Sequence, residues 1–498
     1  MGPYILVIDQ STTTSRAFVF DADQQIVGTA RMDVTQHYPQ PNWVEQVAEE
    51  IWATCLWACK AALRKAGITA ADLAGIGIAN QRATTIIWDR ASGRAIANAI
   101  VWRDQRTEEE CAALSAAGHD PMVSEKTGLL IQPFYSASKI SWLLGSVEGA
   151  REKALAGALA FGTVDSYLMF RLTGGRVHAT DATNASQTTL FNIATNQWDD
   201  DLLALFDVPA ALLPEVKDSA DDYGLSDAAI FGAAVPILGV VGNQQAALIG
   251  QACFEPGMLK ATYYEHCFTL LNTGSDIVRS AHRLLSTIAY RLNGQSTYAI
   301  EGAIVSVGGS LQWLHDDLEL FEWDEMEKLA GAASSTRSLY MVPAFVGAGS
   351  DWWAQQARGG LFGATRGTRR PDMVRAALEA VGYQSNDLIE TMRKDWGRAT
   401  EIAIRVDGEM AASNWTMQFL ADVTQVAVER SPMVDVTSLG AAWLAGWKAG
   451  IWPDSAGFAQ RRVTDRQFEP RIDLDLRQRK LHGWRDAVQR VLPTASAR

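Results

Sequence analysis

Tyr4-Ile5-Leu6-Val7-Ile8-Asp9-Gln10-Ser11-Thr12-Thr13-Thr14-Ser15-Arg16-Ala17-Phe18-Val19-Phe20 is the stretch that decides the fold. Its two ends, 4–8 and 16–20, are short runs of large apolar and β-branched residues, the signature of buried strands. The segment between them, Asp9 to Ser15, consists of hydrogen-bonding side chains and reads as a turn, so the whole stretch is a β-hairpin. A turn of consecutive hydroxyls and backbone N–H groups is either a plain surface loop or a cradle for a phosphate. The residues leave both readings open.

Further along, Glu45 to Ala66 carries apolar residues at helical spacing, and Leu73-Ala74-Gly75-Ile76-Gly77-Ile78-Ala79 is a strand of small residues ending at Asn80-Gln81-Arg82. Hairpin, helix and strand in alternation predict an α/β fold. A second round follows the strand Val235 to Val241. Gly257 to Thr262 runs into the polar turn Tyr264-Glu265-His266, and Cys267 to Leu271 returns from it. Ile402 to Val406 then reads as a strand, Asp407-Gly408 as its turn and Ser413 to Val423 as a helix. The same order in both halves predicts an internal repeat, with an N-terminal domain over 1–249 and a C-terminal domain over 250–498. Ligands of such paired lobes sit in the cleft between them.

The composition narrows the function classes. A chain of 498 residues is two or three folding units at about 150 residues each. Lys+Arg 44 against Asp+Glu 57 gives a net charge of -13, which argues against nucleic acid or an anionic membrane as partner. No run approaches the roughly 18 apolar residues of a spanning helix, and the first residues lack the basic start of a signal peptide, so the expected compartment is the cytoplasm. The five cysteines are scattered and expected reduced. Cys55 and Cys59 share a helix face but have no second pair nearby, which favours core packing over a metal site. Gly-x-Ser-x-Gly, His-Glu-x-x-His, Cys-x-x-Cys and Walker A patterns are all absent.

Ordered motifs then accumulate: Asp9 to Arg16, Asn80-Gln81-Arg82-Ala83-Thr84-Thr85, Asn98 to Trp102, Phe161 to Asp165, Thr183-Asn184-Ala185-Ser186, Gly242-Asn243-Gln244-Gln245, Asn272-Thr273-Gly274, Glu301-Gly302-Ala303, Thr365-Arg366-Gly367 and Leu439-Gly440-Ala441-Ala442. With these the chain resembles the FGGY carbohydrate kinases, and among them the glycerol kinase subfamily, over essentially its whole length. The resemblance implies two actin-like ATPase (ribonuclease H-like) domains around a central cleft. It implies a small polyol or sugar-like ligand, Mg-ATP if kinase activity is retained and no cofactor otherwise, and a homodimer or homotetramer. It associates Asp9 with the metal, Thr12, Thr13, Thr14 and Arg16 with the first phosphate turn, and Gly308, Gln312 and Gly408 with the nucleotide. Arg82, Trp102 and Gln244 fall on the polyol wall.

Several positions depart from the family pattern. Asn243 stands where the family has its catalytic aspartate, Ala83 where it has a glutamate and Phe134 where it has a tyrosine. Tyr264-Glu265-His266 replaces Gly-Thr-Gly in the second phosphate turn. Glu409 replaces a glycine and Ser413 an asparagine on the adenosine side, Ser11 a glycine in the first turn, and Ala354 an aspartate beside Trp352-Trp353. An amide accepts no proton at neutral pH, and losing a general base costs a factor of about 10²–10⁴. Tyr264 is expected to strain a backbone that glycine would relax, and Glu265 to repel phosphate by about 4 kcal/mol at ~4 Å and an effective dielectric near 20. The expectation from these departures is a non-catalytic binding protein or pseudokinase. A working ATP-dependent polyol kinase is one alternative. The other is a repurposed enzyme in which Glu265 and His266, on a turn facing Asn243 and Arg82, act as an acid/base pair.

Overall fold

The opening hairpin forms β1 (Tyr4–Gln10) and β2 (Thr14–Phe20), so the strands run closer to each other than the apolar pattern suggests and the turn shrinks to Ser11-Thr12-Thr13. Ser11 closes it: its N–H donates to the Thr14 carbonyl at 2.8 Å, and its hydroxyl bonds that of Thr14 at 2.8 Å. The structure, a computed structural model, describes residues 3–333, 338–345, 356–398, 403–433 and 435–492. Trp352, Trp353 and Ala354, Ile402 and the tail from Pro493 to Arg498 lie outside the described residues.

β3 (Ile26–Asp33) extends the hairpin antiparallel, while β4 (Leu73–Asn80) and β5 (Ile237–Gly242) add on the other side in parallel, giving the order β5-β4-β1-β2-β3. The helix α1 (Ala48–Ala66) covers one face, burying Ile51, Cys55, Ala58, Cys59 and Ala62 against Leu6, Ile8 and Val19. It starts three residues later than its apolar spacing suggests, because Glu45–Gln46 pairs with Ala99–Ile100 as a short strand. Gln46 is held there by a bond from its amide to the Thr12 carbonyl at 2.5 Å. Burial raises the thiol pKa of Cys55 to about 12, so both helix cysteines are packing residues of the core. The helix α2 (Ser136–Ser146) and the short helix α3 (Asn243–Gly250), which directly follows β5, complete the parts of this half that matter below.

The second sheet repeats the first. β6 (Leu259–Tyr263), β7 (Cys267–Gly274) and β9 (Gln295–Ile304) run antiparallel in succession, and β10 (Ile404–Asp407) and β11 (Val428–Arg430) add in parallel beside β6. The series β11-β10-β6-β7-β9 matches β5-β4-β1-β2-β3 strand for strand. β8 (Leu285–Leu292) and β12 (Arg466–Phe468) extend the edges, so the full order is β8-β9-β7-β6-β10-β11-β12. Behind β10, Ser413 caps α4 (Asn414–Thr424) by accepting from the Thr416 N–H at 3.2 Å. Among the described residues no helix is long and apolar enough to cross a membrane.

One helix, α5 (Val436–Lys448), belongs to the second half in sequence but lies on the first sheet. Ala441, Trp443 and Leu444 share a core cluster with Ile5, Val7, Phe18 and Phe20 of the first hairpin and with Leu248 and Ile249 of α3. Its fit explains the small-residue strand: a Cβ on Gly77 of β4 would lie 2.5 Å from the Ala441 carbonyl, and one on Gly239 of β5 would lie 2.8 Å from the Ala445 nitrogen. The crossing of α3 and α5 is tighter still. A Cβ on Gly440 would sit 2.0 Å from the Ala246 carbonyl, and one on Gly250 would sit 2.0 Å from the Val436 carbonyl.

That crossing yields a stability prediction. Gly440→Ala gains about 1 kcal/mol of helix propensity, but the methyl meets rigid backbone, and overpacking of that kind costs about 1–3 kcal/mol or more. The clash is expected to win, lowering the thermal midpoint. Gly145→Ala in α2, where a Cβ meets nothing within 4 Å, serves as the control and is expected to hold or raise it. Melting both variants by circular dichroism checks the contrast.

Candidate active site

The first turn is anchored by a charge triad. Asp9 and Arg16 are cross-strand partners in the β1/β2 register, which puts their side chains on one face. Arg16 donates to Asp9 Oδ2 at 2.5 Å and, with its other terminal nitrogen, to Asp435 at the start of α5. Asp9 is almost wholly buried, and burial raises its pKa in opposition to Arg16, while Asp9 holds the guanidinium well above its ordinary range. Asp435 thereby ties the second half of the chain to the first phosphate-type turn. Of the three turn threonines, Thr14 is buried in the turn's own bonds and Thr12 accepts from the Trp102 indole N–H at 2.8 Å. Thr13 is exposed.

The resemblance's polyol positions do converge. Trp102 and Phe134 face each other with ring centroids 4.7 Å apart. Beneath them Lys139 of α2, fully buried, donates to the carbonyls of both, at 3.2 and 2.9 Å. Burial brings its pKa down to about 7. Arg82 forms a two-pronged ion pair with Glu301 of β9, at 2.5 and 2.7 Å, and its stem packs over Gly242, where a Cβ would lie 2.9 Å from it. Ala83 is buried with a left-handed backbone, φ 60°. Its methyl adds no polar group to this wall.

Asn243 is the first residue of α3, and Gln244 follows it, both half-buried. The chain is fixed just ahead of them: the Gly242 N–H donates to Thr183 Oγ at 2.8 Å, Thr183 bonds Asp181, Asp181 accepts from Asn184, and Asn184 exchanges bonds with Asn80 at the end of β4. Burial lifts the neighbouring Asp165 to a pKa of about 7. These residues are the motifs Phe161 to Asp165 and Thr183 to Ser186, whose work is to place Asn243.

On the other side of the cleft a cavity of about 640 Å³ is lined by Glu265, Gly308, Gln312, Trp323, Glu409 and Ser413 among others. A Cβ on Gly308 would sit 3.0 Å from the Tyr264 carbonyl, a tight fit, and one on Gly408, at φ 92°, only 2.2 Å from that of Tyr263, so position 408 is closed to side chains. Ser413 lines the cavity while its hydroxyl oxygen is taken as the cap of α4.

The turn 264–266 corrects two expectations. None of Tyr264, Glu265 and His266 has a left-handed backbone, so Tyr264 carries no strain of the kind foreseen. The turn closes by a bond from the Tyr264 N–H to the His266 carbonyl at 2.9 Å. Nor do Glu265 and His266 form an acid/base pair against Arg82. The His266 ring nitrogen bonds the Val305 carbonyl, Glu265 lies on the 640 Å³ cavity, and Arg82 is occupied by Glu301. Glu265 and Glu409 are solvent-exposed, which brings their repulsion of a phosphate toward the aqueous value of about 1 kcal/mol at ~4 Å.

Three residues that hold the candidate site received no role from the sequence, although Glu301 stands in the motif Glu301-Gly302-Ala303. Glu301 was legible as a lone carboxylate in the apolar strand Tyr298 to Ile304. Lys260, fully buried in β6, donates to Gln244 Oε1 at 2.5 Å, and Asp435 pairs with Arg16. Neither had a local signal, since Asp435 acts on a residue far away in the chain and Lys260 on one in a different element.

Comparison with known proteins fits this geometry. Residues 4–250 match the N-terminal domain of the FGGY family of carbohydrate kinases, and residues 266–449 match its C-terminal domain. The chain is 53% identical over 495 residues to a glycerol kinase of Rhizobium rhizogenes, covering 99% of each, and 52% identical to one of Sinorhizobium fredii, covering 99% of this chain and all of that one. Among solved structures, Plasmodium falciparum glycerol kinase with ADP superposes with a TM-score of 0.94 at 34% identity, covering 99% of each chain. These relatives overturn the expectation of a pseudokinase or non-catalytic binding protein: full-length similarity of this degree to glycerol kinases favours a working kinase. Two sheets of one repeated topology, a cleft between them and both family domains in order make this chain a member of the FGGY family of carbohydrate kinases.

Proposed function

We propose that the chain is an ATP-dependent polyol kinase of the glycerol kinase type. The observation that carries the reading is 53% identity over 495 residues to a named glycerol kinase. The cleft has the parts such a reaction needs. The 640 Å³ cavity is of a size that holds a nucleoside, and Gly308 lines it without a side chain. Arg16 and the Thr13 hydroxyl would face the phosphates. Asp9 and Asp435 would hold Mg²⁺, which when bound neutralises charge on the triphosphate.

On the polyol side, Arg82, fixed by Glu301, and the Gln244 amide would bond the hydroxyls, while Trp102 and Phe134 flank the carbon chain. In the transfer a substrate hydroxyl oxygen bonds the γ-phosphorus, the bond from that phosphorus to the β,γ-bridging oxygen breaks, and ADP leaves. The hydroxyl proton passes to a phosphoryl oxygen or to water. Asn243 can orient that O–H as an acceptor but cannot take its proton. The transition state of phosphoryl transfer is loose, with little bonding to the nucleophile, so positioning and electrostatics supply most of the catalysis.

Two measurements follow. In a coupled assay, ADP release from Mg-ATP is expected to require glycerol or a related polyol; absence of polyol-dependent release across C3 to C5 polyols would refute the kinase reading. Asn243→Asp is expected to raise kcat by about 10²–10⁴ with little change in the ATP KM, since it supplies a base at the position the hydroxyl approaches. An unchanged kcat would mean that the hydroxyl is not presented to residue 243.

A further inference from the structure

The contact between Lys260 and Gln244 joins the two halves of the chain at the polyol wall. Lys260 lies in β6 with no exposed surface, and its ammonium meets three acceptors: Gln244 Oε1 at 2.5 Å, Thr262 Oγ at 3.1 Å and the Phe268 carbonyl at 3.3 Å. Thr262 is two residues along the same strand, hence on the same face, and Phe268 lies across the β6/β7 turn as the partner of Thr262. Among the described residues no carboxylate pairs directly with the ammonium; Asp407 and Glu301 act on it from further away. A buried charge held off from its counter-charges persists only when its hydrogen bonds are made.

An ammonium has donors only, so the Gln244 atom it bonds at 2.5 Å is the amide oxygen. The amide is thereby locked one way round. Its oxygen is spent inside the protein, and its two N–H groups are left to whatever occupies the wall beside Asn243.

We infer that Lys260 is a positioning residue for the polyol, fixing Gln244 as a hydrogen-bond donor toward a substrate hydroxyl oxygen. The inference rests on the kinase reading for the identity of the ligand, and on geometry for the role of the lysine. It makes the wall rich in donors: Gln244 turns its N–H groups to the ligand, and the Arg82 guanidinium likewise only donates. A ligand group in that place must therefore offer a lone pair. A hydroxyl does so and an ammonium does not.

The test is a double-mutant cycle read in glycerol binding by calorimetry, with Lys260→Met, Gln244→Ala and the pair together. Each single variant is expected to weaken glycerol about 10- to 100-fold, as for a lost bond to a charged group. The double variant is expected to be no weaker than the worse single one, because Lys260 acts through Gln244. The ATP KM should stay within a factor of about two in all three. Additive effects, or glycerol binding unchanged in Lys260→Met, would overturn the proposal. Should Lys260→Met not fold, Thr262→Val removes one anchor of the same ammonium at nearly constant shape. It is expected to weaken glycerol in the wild-type background and to have no effect on top of Gln244→Ala; an equal effect in both backgrounds overturns the role. Failure of the kinase reading is read separately, as wild-type protein that binds glycerol but releases no ADP.

Discussion

Where α3 crosses α5, two helices approach until backbone touches backbone, and only glycine at 250 and 440 permits it. Everything at the cleft is hung from that contact. α3 begins at Asn243 and carries Gln244, so it sets the polyol wall; α5 begins beside Asp435, which holds Arg16, so it sets the phosphate end. The same α5 lies on the first sheet through Gly77 and Gly239. A shift of the crossing by the width of one methyl would move both ends of the proposed reaction relative to each other. Contacts of this kind resist gradual adjustment because close-packed interiors have no slack.

Much of this architecture was legible from sequence because it is written in local patterns. The opening hairpin, the strand Leu73 to Ala79 and the second polar turn before Cys267 are each short-range signals, and the repeat follows from their order. The glycines of that strand were visible as small residues. Their reason was not, since for Gly75 it lies in Leu238 and for Gly77 in Ala441, more than a hundred and more than three hundred positions further on. The same limit explains what was missed at the site. Glu301 and Asp435 act on Arg82 and Arg16, hundreds of positions away, and Lys260 reaches Gln244 only because the chain turns from α3 into β6.

The error in reading the second phosphate turn has a physical cause of its own. Replacement of glycine by tyrosine was weighed as though the turn demanded a left-handed backbone, whereas the turn 264–266 is built without one. Its carboxylate was weighed as though it faced a phosphate in a partly buried setting, whereas Glu265 is exposed. The cost of a side chain there is set by the conformation this chain adopts and not by the family's glycine. At Gly408 the same reasoning holds, because there a positive φ and a 2.2 Å approach to Tyr263 coincide.

The asparagine at 243 is a different matter, since an amide's inability to take a proton does not depend on conformation. Its weight is a question of magnitude. Losing a general base removes about 3–5 kcal/mol of barrier lowering, while enzymes lower barriers by roughly 8–23 kcal/mol in all. What remains must come from aligning hydroxyl and phosphorus and from charges fixed around the phosphates. Here Arg16, clamped between Asp9 and Asp435, would serve the phosphates and Arg82, clamped by Glu301, would align the hydroxyl, each oriented before any ligand arrives. A cleft organised this way loses speed when its base becomes an amide, but it keeps the larger share of what drives a loose phosphoryl transfer.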